Sequence, residues 1–183
     1  MLLGSGIPIL RYIYSDTDSS VRAIAKARLQ KLSDEYGPTL FPTLAWEVAF
    51  DTLPHDIRKV TKDDMYMAGA KDGTQWMVVA GWECQDLSPA GSGTGLEGNM
   101  SSTFYPLVQV LQHLQRLQHD KLPAYLLENT AMQHPINAQR GRVEHDYLRI
   151  CSMIGPCVEL DAARVGSYAH RNRDYWTNLA LTC

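Results

Sequence analysis

Residues 76–80, Trp-Met-Val-Val-Ala, form an unbroken apolar run bounded by Asp72 and Gly73 before it and Gly81 after it. A run this short, closed by turn residues at both ends, predicts a strand buried on both faces, and therefore a central one. Farther along, Phe104, Leu107, Val108, Leu111 and Leu114 recur at helical spacing. They predict a helix over 101–118 that lays one stripe on a sheet, with Pro106 in its first turn, where proline is tolerated. Near the start, the β-rich segment 11–15 precedes Asp18 and Ser19, either of which can cap a helix carrying Val21, Ile24, Ala25, the Arg28 stem and Leu32. Gly37 and Pro38 end that helix, and 53–57 reads as the close of a second strand. Strands at 124–127, 157–160 and 175–181 and a helix at 143–153 complete the pattern. Gly91, Gly93, Gly95 and Gly98 make 91–98 a mobile loop between the strand at 76–80 and its following helix. Alternating strands and helices predict an α/β fold with a mainly parallel sheet, helices on both faces and ligands beyond the carboxyl ends of the strands.

Length and composition narrow this picture only slightly. At 183 residues, 45% hydrophobic and 20% charged, the chain is read as one globular domain over 1–183. Its apolar runs are far shorter than the roughly 20 residues of a membrane span, so no membrane association is expected. The first residues have no basic region before their apolar positions, which predicts an intracellular, reducing location. Cys84, Cys151, Cys157 and Cys183 lack zinc-site spacing and disulfide density, so free thiols and no metal are expected. A net charge of −3 excludes a chain-wide nucleic-acid footprint and leaves room only for local contacts. Arg22, Lys26, Arg28 and Lys31 read as a solvated helix face, while Arg164, His170, Arg171 and Arg173 cluster near the end.

Three polar groups fall just after predicted strands: Asp16, then Cys84 with Gln85 and Asp86, then Glu128 with Asn129. A cysteine is ordinarily a small buried hydrophobe. Cys84, however, leaves a buried strand for a glycine-rich loop, which turns its sulfur toward a cleft and suits a nucleophile. Glu128 follows Tyr125, Leu126 and Leu127; partial desolvation there would favour its protonated form, as a general acid requires. The glycine-rich loop lacks the Gly-Lys-Ser/Thr ending of a phosphate-binding loop.

The stretch Gly81-Trp-Glu-Cys84-Gln-Asp-Leu-Ser88, followed by Ala90-Gly91 and Gly95-Leu-Glu-Gly98, resembles the catalytic-loop motif of DNA cytosine-5 methyltransferases. Glu128-Asn129 and Arg171-Asn-Arg173 follow in the order that family shows, and 161–178 is similar to its eukaryotic de novo subgroup. Upstream, 11–16 resembles the strand whose terminal acid, here Asp16, holds the ribose of S-adenosylmethionine, and Asp56 and Ile57 resemble the pair that meets its adenine. The resemblance implies a Rossmann-like methyltransferase fold and S-adenosylmethionine as cofactor, bound by Asp16, Asp56, Ile57 and Gly81. It implies DNA as substrate, a nuclear location, and assembly with copies of itself or with other methyltransferases. Cys84 would attack C6 of a flipped-out cytosine, Glu128 would act at N3, and Arg171 and Arg173 would hold O2. An RNA cytosine-5 methyltransferase and a catalytically inactive regulatory homologue are the alternatives.

The chain departs from the family pattern in four places. It shows no Phe-x-Gly-x-Gly turn and no target-recognition region, so a partial catalytic domain with its first strand missing is expected. Thr130 replaces a usual valine, a mild change. Glu83 replaces a usual proline, and its charge beside Cys84 is expected to oppose thiolate formation and slow covalent attack.

Overall fold

In the computed structural model, which describes residues 3–71, 73–87, 93–132 and 140–179 apart from the side chains of 140–143, the chain divides into two compact units, Met1–Gly69 and Ala70–Cys183. Each unit has its own logic.

In the first unit, helix α1 (Ser19–Leu40) starts at Asp18, whose carboxylate accepts the amides of Ser20 at 2.7 Å and Val21 at 3.3 Å. This satisfies two of the four amides a helix leaves unpaired at its start. Gly37 takes a φ of 72° and breaks the regular helix just before Pro38, as the sequence implies. The buried stripe differs from the expected one. Leu29 and Ser33 are covered, while Val21 and Ile24 stand in solvent. Leu29, Phe41, Ala45, Trp46 and Ala49 form the core, with Tyr12, Leu32 and Phe50 packed on it. Residues 11–15 form no strand. Their alternate amides, from Tyr12 and Tyr14, bond the carbonyls of Ala45 and Ala49, which belong to a 3-10 turn (Thr43–Ala45) and the turns after it, so no ladder can propagate. The expected strand at 53–57 is also absent. Asp56 draws the amide of Arg58 onto its carboxylate at 3.0 Å and starts a 3-10 turn (Ile57–Lys59) instead. A short helix α2 (Lys62–Met67) opens on a reciprocal capping box between Thr61 and Asp64.

The second unit is α/β. Four strands, β1 (Met77–Gly81), β2 (Ala124–Thr130), β3 (Cys157–Asp161) and β4 (Asn172–Thr177), pair in the order β1-β2-β4-β3. Helix α3 (Phe104–Leu117) lies between β1 and β2 in the chain, and α4 (Arg140–Ile154) between β2 and β3. Only β1 and β2 run parallel; β2 with β4 and β3 with β4 are antiparallel, so the sheet is mixed rather than mainly parallel. The reason is the connection from β3 to β4. It spans only 162–171, too short for a crossover helix, and can return the chain only as a hairpin.

The apolar run at 76–80 does form a strand, but at the sheet edge rather than its centre, and Val79 is 68% exposed. An unbroken apolar run records the absence of polar positions and not the number of neighbours, which is how the expectation failed. All five predicted α3 positions are buried. β4 begins three residues earlier than expected, and its ladder closes at Thr177 because the Asn178 side chain takes the Tyr125 amide and donates to the Pro123 carbonyl. Among the described residues, no helix is long and apolar enough to cross a membrane.

Candidate active site

Strand directions bring the sequence-predicted residues of the second unit to one sheet edge. The carboxyl ends of β1, β2 and β3 and the amino end of β4 share that edge. Cys84 leaves β1 there, Glu128 lies near the end of β2, and Arg171 and Arg173 stand at the start of β4.

Glu128 lies within β2, which runs three residues beyond the expected strand, and this placement decides how the Glu-Asn pair divides. Successive side chains of a strand point to opposite faces. Asn129 is buried and donates its Nδ2 to the carbonyl of Trp82 at 2.9 Å, while its Oδ1 accepts the amide of Thr130. It therefore fixes the backbone two residues before Cys84. Glu128 faces the other way, and its Oε1 lies 2.8 Å from Nε of Arg173, with 36% of the glutamate side chain and 24% of the arginine side chain exposed. The glutamate is thus partnered by a cation rather than enclosed by apolar neighbours. Arg173 also donates to the Asn172 carbonyl, whereas the Arg171 side chain is exposed. Gly81, directly opposite Glu128 in the ladder, has a clear reason to lack a side chain: a Cβ there would lie 3.2 Å from Oε2 of Glu128.

Cys84 is half-buried, and its backbone carbonyl accepts the amide of Leu87 in a tight turn. The described part of the glycine-rich segment after it is tied down. Asp86 is buried and accepts the amides of Met100 and Ser101 at 2.9 and 3.0 Å, and its own carbonyl accepts Gly95 N. Ser101 returns the contact by donating its hydroxyl to the carbonyl of Glu83 at 2.8 Å. Asp146 on α4 accepts the amide of Leu96, and Arg149 pairs with Glu97 at 2.6 Å while lying over the Tyr105 ring. Asp86, Ser101 and Asp146 thus hold by hydrogen bonds the described part, 93–98, of the segment expected to be a mobile loop. Residues 88–92 lie outside the described residues.

The β3–β4 connection has its own anchor, which sequence reading missed. Asp161 ends β3 and accepts three donors: His170 Nδ1 at 2.7 Å, Arg171 N at 2.9 Å and Ala163 N at 3.1 Å. The histidine contact foremost, then the two amides, holds the Asp161 carboxyl at about 2 against an ordinary 3.8. A depressed carboxyl contributes stability that is complete above its unfolded value and is lost as pH falls through the folded one, here between about 4 and 2. We expect the Asp161 side-chain carbon, followed by NMR, to titrate near 2 in the intact protein and nearer 3.8 in His170→Ala. An Asp161 midpoint at the ordinary value in the intact protein would refute the anchor. The signal for it was available in the sequence, since an aspartate directly after an apolar strand and before small residues is a common turn-capping position.

Asp16, Asp56 and Ile57 belong to the first unit. There a hydrogen bond from Ser15 Oγ to the Pro54 carbonyl, 2.6 Å long, ties the segment of Asp16 to that of Asp56, and the Tyr14 and Phe50 rings meet at 5.3 Å. An open depression of about 410 Å³ in this unit is lined by 50–55 and Asp64, and not by Asp16, Asp56 or Ile57. Asp16 accepts the Asp18 amide, and its neighbourhood helps raise the Tyr14 hydroxyl, after the effect of burial. Asp56, on the other segment, accepts the Arg58 amide and lies 3.8 Å from Nε of Arg58. Among the described residues no cluster of His, Cys, Asp and Glu could hold a metal ion. No protein-family model matches the chain, and no curated protein matches it.

Proposed function

We propose that this chain is a catalytic portion of a DNA cytosine-5 methyltransferase with a Rossmann-like fold, and that Cys84 is its nucleophile. The observation that carries the reading is the Glu128–Arg173 ion pair at the sheet edge where Cys84 leaves β1. Cys84, Glu128 and Arg173, spread over 89 positions of the sequence, thus come from the three ordered motifs to one end of the sheet with chemistry that fits a single reaction.

Cytosine C5 is a poor nucleophile, and electron density must enter the ring before it accepts a methyl group. The Cys84 sulfur forms a bond to C6, and the displaced π electrons move toward N3 and O2. Glu128 holds or delivers a proton at N3, and its position is set by Arg173. Arg171, whose side chain is exposed, carries the contact to O2 and the charge developing there. S-adenosylmethionine supplies the methyl group from its sulfonium, and Asp16, Asp56 and Ile57 are the residues that would hold its adenosine. Loss of the C5 proton and rupture of the sulfur–C6 bond then release Cys84. C6 is inaccessible in a stacked duplex, so the cytosine has to be turned out of the helix first.

Incubation with S-adenosylmethionine and oligonucleotides carrying 5-fluorocytosine tests this reading, because fluorine at C5 prevents the final elimination. A denaturation-resistant adduct with DNA and none with RNA is the expected result. Capture of RNA alone would replace the DNA substrate with RNA. Capture of neither, with DNA still retained in a gel-shift assay, would favour the inactive regulatory homologue.

A further inference from the structure

The junction of α4 and β3 holds sulfur chemistry that the candidate active site does not use. Tyr147 and Cys151 lie one helical turn apart on α4, spacing that puts them on one face. Cys157 opens β3, and its Sγ lies 3.5 Å from the Tyr147 hydroxyl. The surroundings raise the ionisation of this hydroxyl above the ordinary value, through Cys157 first, then burial, then Cys151. The turn between the cysteines explains the meeting. The Cys151 carbonyl accepts the Gly155 amide at 2.9 Å, and Gly155 takes a φ of 88°, which folds the chain back on the end of the helix. Both cysteines are half-exposed and neither is in a disulfide.

The side chain that touches the Cys157 sulfur is thus the one beside Cys151 on its helix face, and the turn at Gly155 brings the two thiols toward each other. Side-chain rotation can bring such a pair toward the ~2 Å of a disulfide bond. Two thiols and a phenol are too few ligands for a closed structural zinc site, so oxidation is the chemistry the cluster fits best. We propose that Cys151 and Cys157 form a reversible dithiol–disulfide pair that reacts with hydrogen peroxide. One thiolate attacks a peroxide oxygen, the O–O bond breaks, and water leaves a sulfenic acid on that cysteine. The second thiol attacks the sulfenic sulfur, forms the S–S bond and expels a second water. The peroxide gains the two electrons that the thiols lose, and the thiol protons end in the two waters. The Tyr147 hydroxyl positions the sulfurs and donates to whichever is ionised. The bond pins the end of α4 to the start of β3, the strand whose far end carries Asp161.

Trypsin provides a direct readout because no lysine or arginine lies between Arg149 and Arg164, so both cysteines fall in one peptide, 150–164. In the reduced, folded chain treated with dilute hydrogen peroxide, that peptide is expected to lose the mass of two hydrogens and to regain it with dithiothreitol. The linkage is expected to form at least about tenfold faster than in urea, because the fold holds the thiols together. Tyr147→Phe is expected to slow it several-fold, and Cys157→Ser to leave Cys151 as a sulfenic acid that dimedone captures. Oxygen added to the two sulfurs separately without linkage would overturn the proposal, as would linkage no faster in the folded chain than in urea.

Discussion

Cys84→Ser is expected to eliminate covalent capture of 5-fluorocytosine DNA and to lower methyl transfer by at least ~10³-fold, on the order of 4 kcal/mol of transition-state stabilisation. A serine hydroxyl is far less acidic and less nucleophilic than a thiol. The substitution changes one atom on a half-buried side chain whose recorded contact, Leu87 N to the Cys84 carbonyl, involves only backbone. The urea unfolding midpoint should therefore hold within the ~0.5 kcal/mol typical of such a site. Glu128→Gln provides the matching control. It preserves shape but removes the charge that meets Arg173 at 2.8 Å, and it should slow capture by roughly 10²-fold without abolishing it. Undiminished capture by Cys84→Ser would end the case for Cys84, and a loss of capture accompanied by unfolding would show only that the site was structural.

The parts of the structure legible in sequence are those fixed by neighbours within a few residues. The α3 stripe, the Asp18 cap and the break at Gly37 depend on spacings of four residues or fewer, and all appear where the pattern puts them. The misread elements depended on distant partners. Residues 11–15 have strand-like composition, but the groups opposite their amides are turn carbonyls at Ala45 and Ala49, more than 30 positions away. β1 reads as central because it is apolar, yet its place at the edge follows from the order in which other strands pair. The sheet reads as parallel because strands and helices alternate, and the exception turns on one connection that contains no long helix. The candidate site divides along the same line. The groups proposed to react, Cys84, Glu128, Arg171 and Arg173, were visible as motif residues. The groups that hold them were not, because Asn129 reaches Trp82 across 47 positions and Asp146 reaches Leu96 across 50.

Gly98→Ala tests whether this hidden frame matters, and its expected sign is opposite to the usual one. Gly98 has φ −69° and ψ 151°, a conformation alanine adopts without strain. A glycine-to-alanine change at such a position ordinarily stabilises a protein by about 0.4–1 kcal/mol, because the unfolded chain has less freedom to lose. Here, however, an added Cβ would overlap Oδ2 and Cγ of Asp86 and Oγ1 of Thr94. Asp86 cannot swing aside cheaply. It is 7% exposed, and the oxygen in question accepts the amides of both Met100 and Ser101, which would be stranded if it moved. Overpacking and lost hydrogen bonds together should destabilise the second unit by roughly 2–4 kcal/mol. The check is urea denaturation followed by tryptophan fluorescence, since the Trp82 and Trp176 rings meet at 5.2 Å, tilted by 47°, in this unit and report its unfolding. Because Ser101 also bonds the Glu83 carbonyl next to Cys84, capture of 5-fluorocytosine DNA by the folded fraction should slow as well. Adding Asp86→Ala removes the clashing carboxylate, so the double variant should be less destabilised than the sum of its parts, a coupling that two independent sites would not show. Gly98→Ala as stable as the parent would mean that the Asp86 frame yields easily, and it could not then be what holds the backbone around Cys84.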